Sequence, residues 1–289
     1  MPPPEASWEF EAIGTAWQID SALRLSDPTR EAVASCIEGF DRTWSRFRPD
    51  SLVARMATQA GTWVLDADAR ALLDLYDELY VLTEGAVTPL VGQTLADLGY
   101  DADYSLVASP SPARVGEWSG VDWTYPMLTL PSPLLLDVGA AGKGYLVDLV
   151  AGVLKDQGVT GFTVDASGDL AHRGGAPLRV ALEHPSDPTV AIGIVELQPG
   201  KALCASATNR RVWADGLHHV LDGRTGHPTG DILATWVVAE ACMVADGLAT
   251  ALFFAEPDHL AARFNFEFVR MHADGRVEWS HDLPGEVFV

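Results

Sequence analysis

Three glycines, Gly139, Gly142 and Gly144, separate two patterns that cannot share one backbone conformation. Before them stands an apolar run, Leu134-Leu-Leu-Asp137. After them the apolar spacing is helical over about residues 143–156, and Gly158 ends it. The predicted unit is strand, Gly-rich turn, helix, because glycine accepts the dihedrals of a tight turn. Phe162-Thr-Val-Asp165 reads as the next strand, followed by strand signals at 178–182, 190–197 and 202–206. Residues 216–222 and 233–239 flank a turn-rich segment, Asp222-Gly-Arg-Thr-Gly-His-Pro228. A helix is predicted over about 241–255, and a closing hairpin with Asp274-Gly275 as a two-residue turn. Upstream, residues 8–20 read as strands broken at Gly14. A helix opens with Asp27 as its N-cap and Pro28 in its first position, carries Val33, Ile37 and Phe40, and stops by Pro49. A second helix fits 67–83, with Leu72, Leu73, Tyr76, Leu79 and Tyr80 on its apolar face. Strands mixed with separate helices, without regular βα alternation, predict an α+β (mixed α/β) architecture with flanking helices. The 289 residues are read as one domain, 1–289, with the irregular 99–131 stretch as the place where a sub-domain boundary is allowed.

The charge balance narrows the partners. Lys plus Arg number 19 against 40 Asp plus Glu, a net charge of −21. Such a surface repels nucleic-acid phosphates and anionic lipid headgroups, so an anionic small molecule would need local help from a divalent metal, a lysine or a helix start. Cys36, Cys204 and Cys242 are scattered and odd in number, which argues against a disulfide framework. The first residues, MPPPEASWEFEAIG, carry no basic n-region, apolar h-region or early cysteine. No apolar run reaches the ~18–20 residues that span a bilayer. The expectation is a soluble cytoplasmic protein without a membrane anchor.

Four segments hold groups that could do chemistry. In Asp137-Val-Gly-Ala-Ala-Gly-Lys143-Gly-Tyr145, a carboxylate ends the apolar run and a lysine opens a helix. The segment is either a phosphate or flavin cradle or an ordinary capped turn; P-loop and dinucleotide spacings are both absent. In Met243-Val-Ala-Asp246-Gly-Leu-Ala-Thr250, Asp246 and Thr250 share one face of a strongly apolar helix. A carboxylate buried there needs either a hard cation with oxygen ligands or a hydrogen bond to a nearby loop. Gly216-Leu-His-His219-Val-Leu-Asp222 places adjacent histidines on opposite faces of a strand, so that one is either a general base or part of a surface hairpin. No histidine or cysteine spacing suits zinc. Val164-Asp165-Ala-Ser-Gly168-Asp169 is a tight turn beside a strand end.

Taken in chain order, the segments resemble the ApbE-like family of FAD:protein FMN transferases. The matching stretches read DVGAAGKG (137–144), DASGD (165–169), CASATNRR (204–211), HVLDGRTGHP (219–228) and ADGLATALF (245–253), preceded by Ile13-Gly-Thr15, Phe47-Arg-Pro-Asp-Ser51 and Gly85-Ala-Val-Thr-Pro89. The resemblance covers about residues 13–255. It implies an ApbE-like fold and a Mg²⁺-dependent transfer of FMN from FAD to a threonine or serine hydroxyl of an acceptor protein, with AMP released. It further implies that Asp246, Thr250, Ala249 and the Ala140 carbonyl hold the metal. FAD would contact Ile13, Phe47, Ala86, Val87, Thr88, Asp137, Lys143 and Val220. His219 would be the base for the acceptor hydroxyl, with Asp246 also catalytic. Thr88 stands where the family has Asp, Ile13 where it has Met, Asp165 and Ser167 where it has Asn and Gly, and Ala207 where it has Gly. An FAD pyrophosphatase and a non-catalytic FAD-binding protein are the competing expectations on the same scaffold.

Overall fold

The computed structural model describes residues 6–214 and 216–288. Its centre is an eight-stranded sheet whose neighbours are all antiparallel. The order is Ala6–Ala12, Thr15–Ser21, Phe162–Asp165, Asp169–Arg173, Ala202–Ala207, Ile232–Ala239, Glu267–His272 and Val277–Trp279. The period of two explains the composition of its middle strands. Ala202 and Cys204 of one strand, with Val237 and Ala239 of the next, face the helices. Leu203, Trp236 and Val238 alternate with them and face a second apolar layer. Both faces are therefore covered, and Ile232–Ala239 is apolar almost throughout.

On one face lie the helices Gly142–Asp156 and Cys242–Ala251, with Asp27–Trp44 and Ala69–Leu82 packed outside them. On the other lies a three-stranded sheet, Leu178–His184, Asp187–Leu197 and Gly285–Val287, whose Leu182, Ile192 and Val195 pack on Leu203 and Trp236. A further small sheet, Gly61–Val64, Met127–Leu130 and Asp122–Thr124, arises within and beside the irregular stretch. Its Leu128 and Leu130 belong to the same core as Leu72 and Leu73.

Several expectations shift. The N-cap of the first helix is Ser26, whose hydroxyl accepts the Thr29 N–H, and Asp27 is its first helical residue. That helix ends at Trp44, before Pro49, because Ser45 turns extended. Leu134–Asp137 is not a ladder strand. It threads between loops, with Leu134 N–H donating to Met56 O (3.1 Å) and Asp137 N–H to Pro89 O (2.7 Å). An apolar run of this length signals burial and does not by itself supply a strand partner. The last hairpin turns through three residues, 273–275, closed by His272 N–H to Arg276 O. The chain then continues to Gly285–Val287, so the hairpin does not close it.

The helices Gly142–Asp156 and Cys242–Ala251 meet where Gly144 leaves no room for a side chain. A Cβ there would lie 2.4 Å from Cys242 O and 2.6 Å from Asp246 Cβ. Gly144→Ala is expected to destabilise the protein by about 2–3 kcal/mol, as overpacking against backbone does. Urea unfolding against the parent chain measures it.

Candidate functional site

The close approach at Gly144 builds a buried charged cluster. Gly144 N–H donates to Asp246 Oδ2 at 2.8 Å. One residue earlier, Lys143 Nζ lies 2.7 Å from Asp169 Oδ2 and donates to Ala166 O at 3.0 Å. Asp169 is fully enclosed. It is placed by a two-residue turn in which Ser167 (φ 53°) and Gly168 (φ 103°) are both left-handed, the form that continues strand twist. Serine takes this conformation in place of the family's glycine. Burial pushes the Asp169 carboxyl up, and Lys143 opposes that shift. Asp246 is pushed well up, first by burial and then by repulsion from Asp169. For Lys143, burial acts against the charge, but Asp169 and then Asp246 outweigh it and raise its pKa.

One turn beyond Asp246, Thr250 Oγ donates to Ala140 O across 3.3 Å. Tyr76, wholly buried, accepts the Ala140 N–H at 3.2 Å and so fixes that peptide. Its hydroxyl is pushed well up by burial and by the charges of Asp137 and Asp246. Among the described residues no cluster of three or more His, Cys, Asp or Glu side chains forms a metal cage. The donors gathered here are of another kind: one buried carboxylate, one hydroxyl and one carbonyl oxygen, the set a small hard cation takes. Ala249 O accepts the Thr235 hydroxyl at 2.6 Å and keeps a second lone pair.

Asp137 links this cluster to an aromatic wall. Its Oδ2 accepts from Arg46 Nε at 2.5 Å, and its Oδ1 caps the Gly139 N–H at 2.7 Å. Arg46 donates to Tyr100 O (2.6 Å) and lies over the rings of Phe47 and Tyr100, 4.2 and 4.7 Å from their centroids. Its Nη2 is buried without a partner. Phe47 stacks on Tyr104, which reaches the Ile13-Gly14 turn. Ile13 is left-handed (φ 46°), an outlier for a β-branched residue and the kind of strain that marks functional turns.

His219 lies next to Arg211, with Nδ1 buried and unpartnered. Burial, then the Arg211 charge, lowers its pKa to about 4, so the ring is neutral at pH 7. His218 is a structural histidine: Nε2 meets Thr229 O at 2.8 Å and Nδ1 accepts the Val220 N–H. Other expected residues face inward. Ala86, Val87 and Thr88 are buried, Ala86 O accepts Gly223 N–H, and Thr88 Oγ caps the turn Pro89–Val91 through Leu90 N–H. Val220 packs with Ile232 and Phe253. Ala207 is extended (φ −149°), a conformation that does not demand glycine. Sequence reasoning missed Arg46, whose charge has no local partner to flag it, and Tyr76, which read as one more apolar-face residue. A hollow of about 520 Å³ lined by Asp148, Lys155 and Arg173 lies at the opposite end of strand Asp169–Arg173 from this cluster.

The ApbE family model matches residues 13–269, and the chain belongs to that family. It is 29% identical to an FAD:protein FMN transferase of Rhodobacter capsulatus, over 96% of this chain but 57% of that protein's length. It is 24% identical to the Escherichia coli K12 protein of the same name, over 86% of this chain and 78% of the relative. In structure it resembles the ApbE protein of Thermotoga maritima (TM-score 0.81) and the flavin transferase ApbE of Vibrio cholerae (TM-score 0.79). Each is 22% identical, and each match covers 96% of this chain and 97% of the other. These structures establish the fold. No helix among the described residues is long and apolar enough to cross a membrane.

Lys143→Met should destabilise the protein by about 3 kcal/mol at pH 8, since it strips the counter-charge from a buried carboxylate. The loss should shrink as pH falls and Asp169 takes a proton, which chemical unfolding across pH will measure. For His219 the folded pKa is depressed, so the stability held by its neutral form is complete above about pH 6.5 and lost as pH falls toward about 4. His219→Gln should flatten that part of the stability–pH curve.

Proposed function

We propose that this chain transfers FMN from FAD to a threonine or serine hydroxyl of an acceptor protein, releases AMP, and does so with Mg²⁺ held by Asp246, Thr250 and the Ala140 carbonyl. The observation that carries the reading is the buried Asp246 carboxylate, seated on Gly144 N–H and one helical turn from the Thr250–Ala140 oxygen pair. A carboxylate so buried, with a second one pressing on it, is stabilised in its ionised form by a cation. Family membership and the names of the relatives support the same activity.

In this reading the acceptor oxygen attacks the phosphorus of the FMN half. The bond from that phosphorus to the bridging oxygen breaks, and AMP leaves with that oxygen. The hydroxyl proton passes to neutral His219, whose unpartnered Nδ1 has acceptor capacity. Bound Mg²⁺ would supply charge neutralisation at the diphosphate. Lys143 donates to Ala166 O, pairs its charge with Asp169 and keeps donor capacity for FAD. Asp137 is fixed by Arg46 and the Gly139 N–H, so it meets the substrate in one orientation.

Asp246→Asn keeps an acceptor for Gly144 and removes the charge. The rise in melting temperature on adding Mg²⁺ should vanish in this variant, and flavin transfer should fall by about 100-fold or more. A Mg²⁺ shift equal to that of the parent would sink the metal assignment. Mass spectrometry of FAD, Mg²⁺ and an acceptor peptide should show the peptide gaining FMN as AMP appears. Free FMN and AMP, with the peptide unlabelled, would replace the transferase by a pyrophosphatase.

A further inference from the structure

We propose that Tyr104 is an additional FAD-contacting residue, the outer platform on which one planar ring of the substrate stacks; the inference rests on the FAD-dependent reading above. Tyr104 lies parallel to Phe47, with ring centroids 5.2 Å apart and planes within 10°. Arg46 is 4.2 Å from the Phe47 centroid, so guanidinium and phenyl support the tyrosine from within. Tyr100 meets both rings edge-on, at 5.4 and 5.6 Å, and fixes their tilt. At its other end the Tyr104 hydroxyl comes within 3.7 Å of the position a Gly14 Cβ would take, beside the strained Ile13. One side chain thus stacks on Phe47 and lies beside the Ile13-Gly14 turn, two segments that the resemblance matches to FAD contacts.

Core packing does not explain the arrangement. Tyr104 remains 51% exposed, and its followers Leu106 and Val107 are 45% and 73% exposed. Yet Tyr104 and Leu106 both hold left-handed backbone, at φ 51° and 53°, which non-glycine residues adopt at a cost. The loop that enforces this is tightly tied. Asp101 accepts from the N–H groups of Asp103 and Ser105 and from the Ser105 hydroxyl, and Leu106 N–H donates to Gly99 O. Gly99 is required there, because a Cβ would lie 2.5 Å from Val107 N. A fixed, strained turn that presents a half-exposed aromatic ring beside a buried arginine is built to receive a flat partner. FAD offers two such rings, isoalloxazine and adenine.

The test is titration of the full chain with FAD, followed by flavin fluorescence anisotropy, for the parent, Tyr104→Ala and Tyr104→Phe. Titration with FMN, and displacement of bound FAD by ADP, locate the ring. Loss of a stacked aromatic should weaken FAD binding about tenfold in Tyr104→Ala and leave Tyr104→Phe within about twofold of the parent. The KM for FAD should rise by the same factor while kcat stays within about twofold. The loss should appear with FMN or with ADP, which assigns the platform to that ring. Tyr104→Ala binding FAD as tightly as the parent, or more tightly, would overturn the platform while leaving the transferase reading intact. A parent chain that does not bind FAD would overturn both.

Discussion

The contact between Gly144 and the helix that carries Asp246 sets the geometry of everything near it. With no side chain at 144, two helices approach until a backbone N–H reaches a carboxylate at 2.8 Å. The same turn sends Lys143 to Asp169 on the sheet and leaves Thr250 facing Ala140. Two buried acids and one partly exposed lysine therefore meet between helix layer and sheet, and their charges interact as a consequence of packing. Both acids are pushed up first by burial; Asp169 adds repulsion at Asp246, and Lys143 opposes both shifts without cancelling them. An added cation would complete that balance, which is why the metal reading and the fold rest on the same glycine.

Much of this was legible in the chain, for identifiable reasons. The helix Gly142–Asp156, the strands Phe162–Asp165 and Ala202–Ala207 and the apolar helix around Asp246 follow from periodicity and glycine placement. The family match spans residues 13–269, in line with the order of the motifs. Leu134–Asp137 misread as a strand because local hydrophobicity carries no information about whether a neighbouring edge is free. Ser26 took the cap from Asp27 because both are good caps, and the hydrogen-bond geometry at Thr29 chose between them. Arg46 and Tyr76 were not legible as site residues. Their roles depend on partners at Asp137 and Ala140, distant in sequence, and nothing local announces such a meeting.

Two of the substitutions away from the family pattern, Thr88 and Ser167, have local explanations. Thr88 replaces a charge with a hydroxyl that caps the Pro89–Val91 turn, and its methyl group lies against Gly223, where a Cβ would come within 2.6 Å. Ser167 accepts a left-handed conformation, ties its hydroxyl to Ala16 O at 2.9 Å and still leaves Asp169 in place.

The sheet's connectivity has a consequence for how the molecule is made. Gln18 pairs with Asp165, and Gly285 with Val195, so the first strands and the last find their places only when far-off segments exist. Ribosomal synthesis delivers the N-terminal hairpin long before its neighbour emerges, which leaves one side of that ribbon unpaired in the interval. Such long-range closure is slow. At a net charge of −21, two chains that meet before this pairing is complete repel each other.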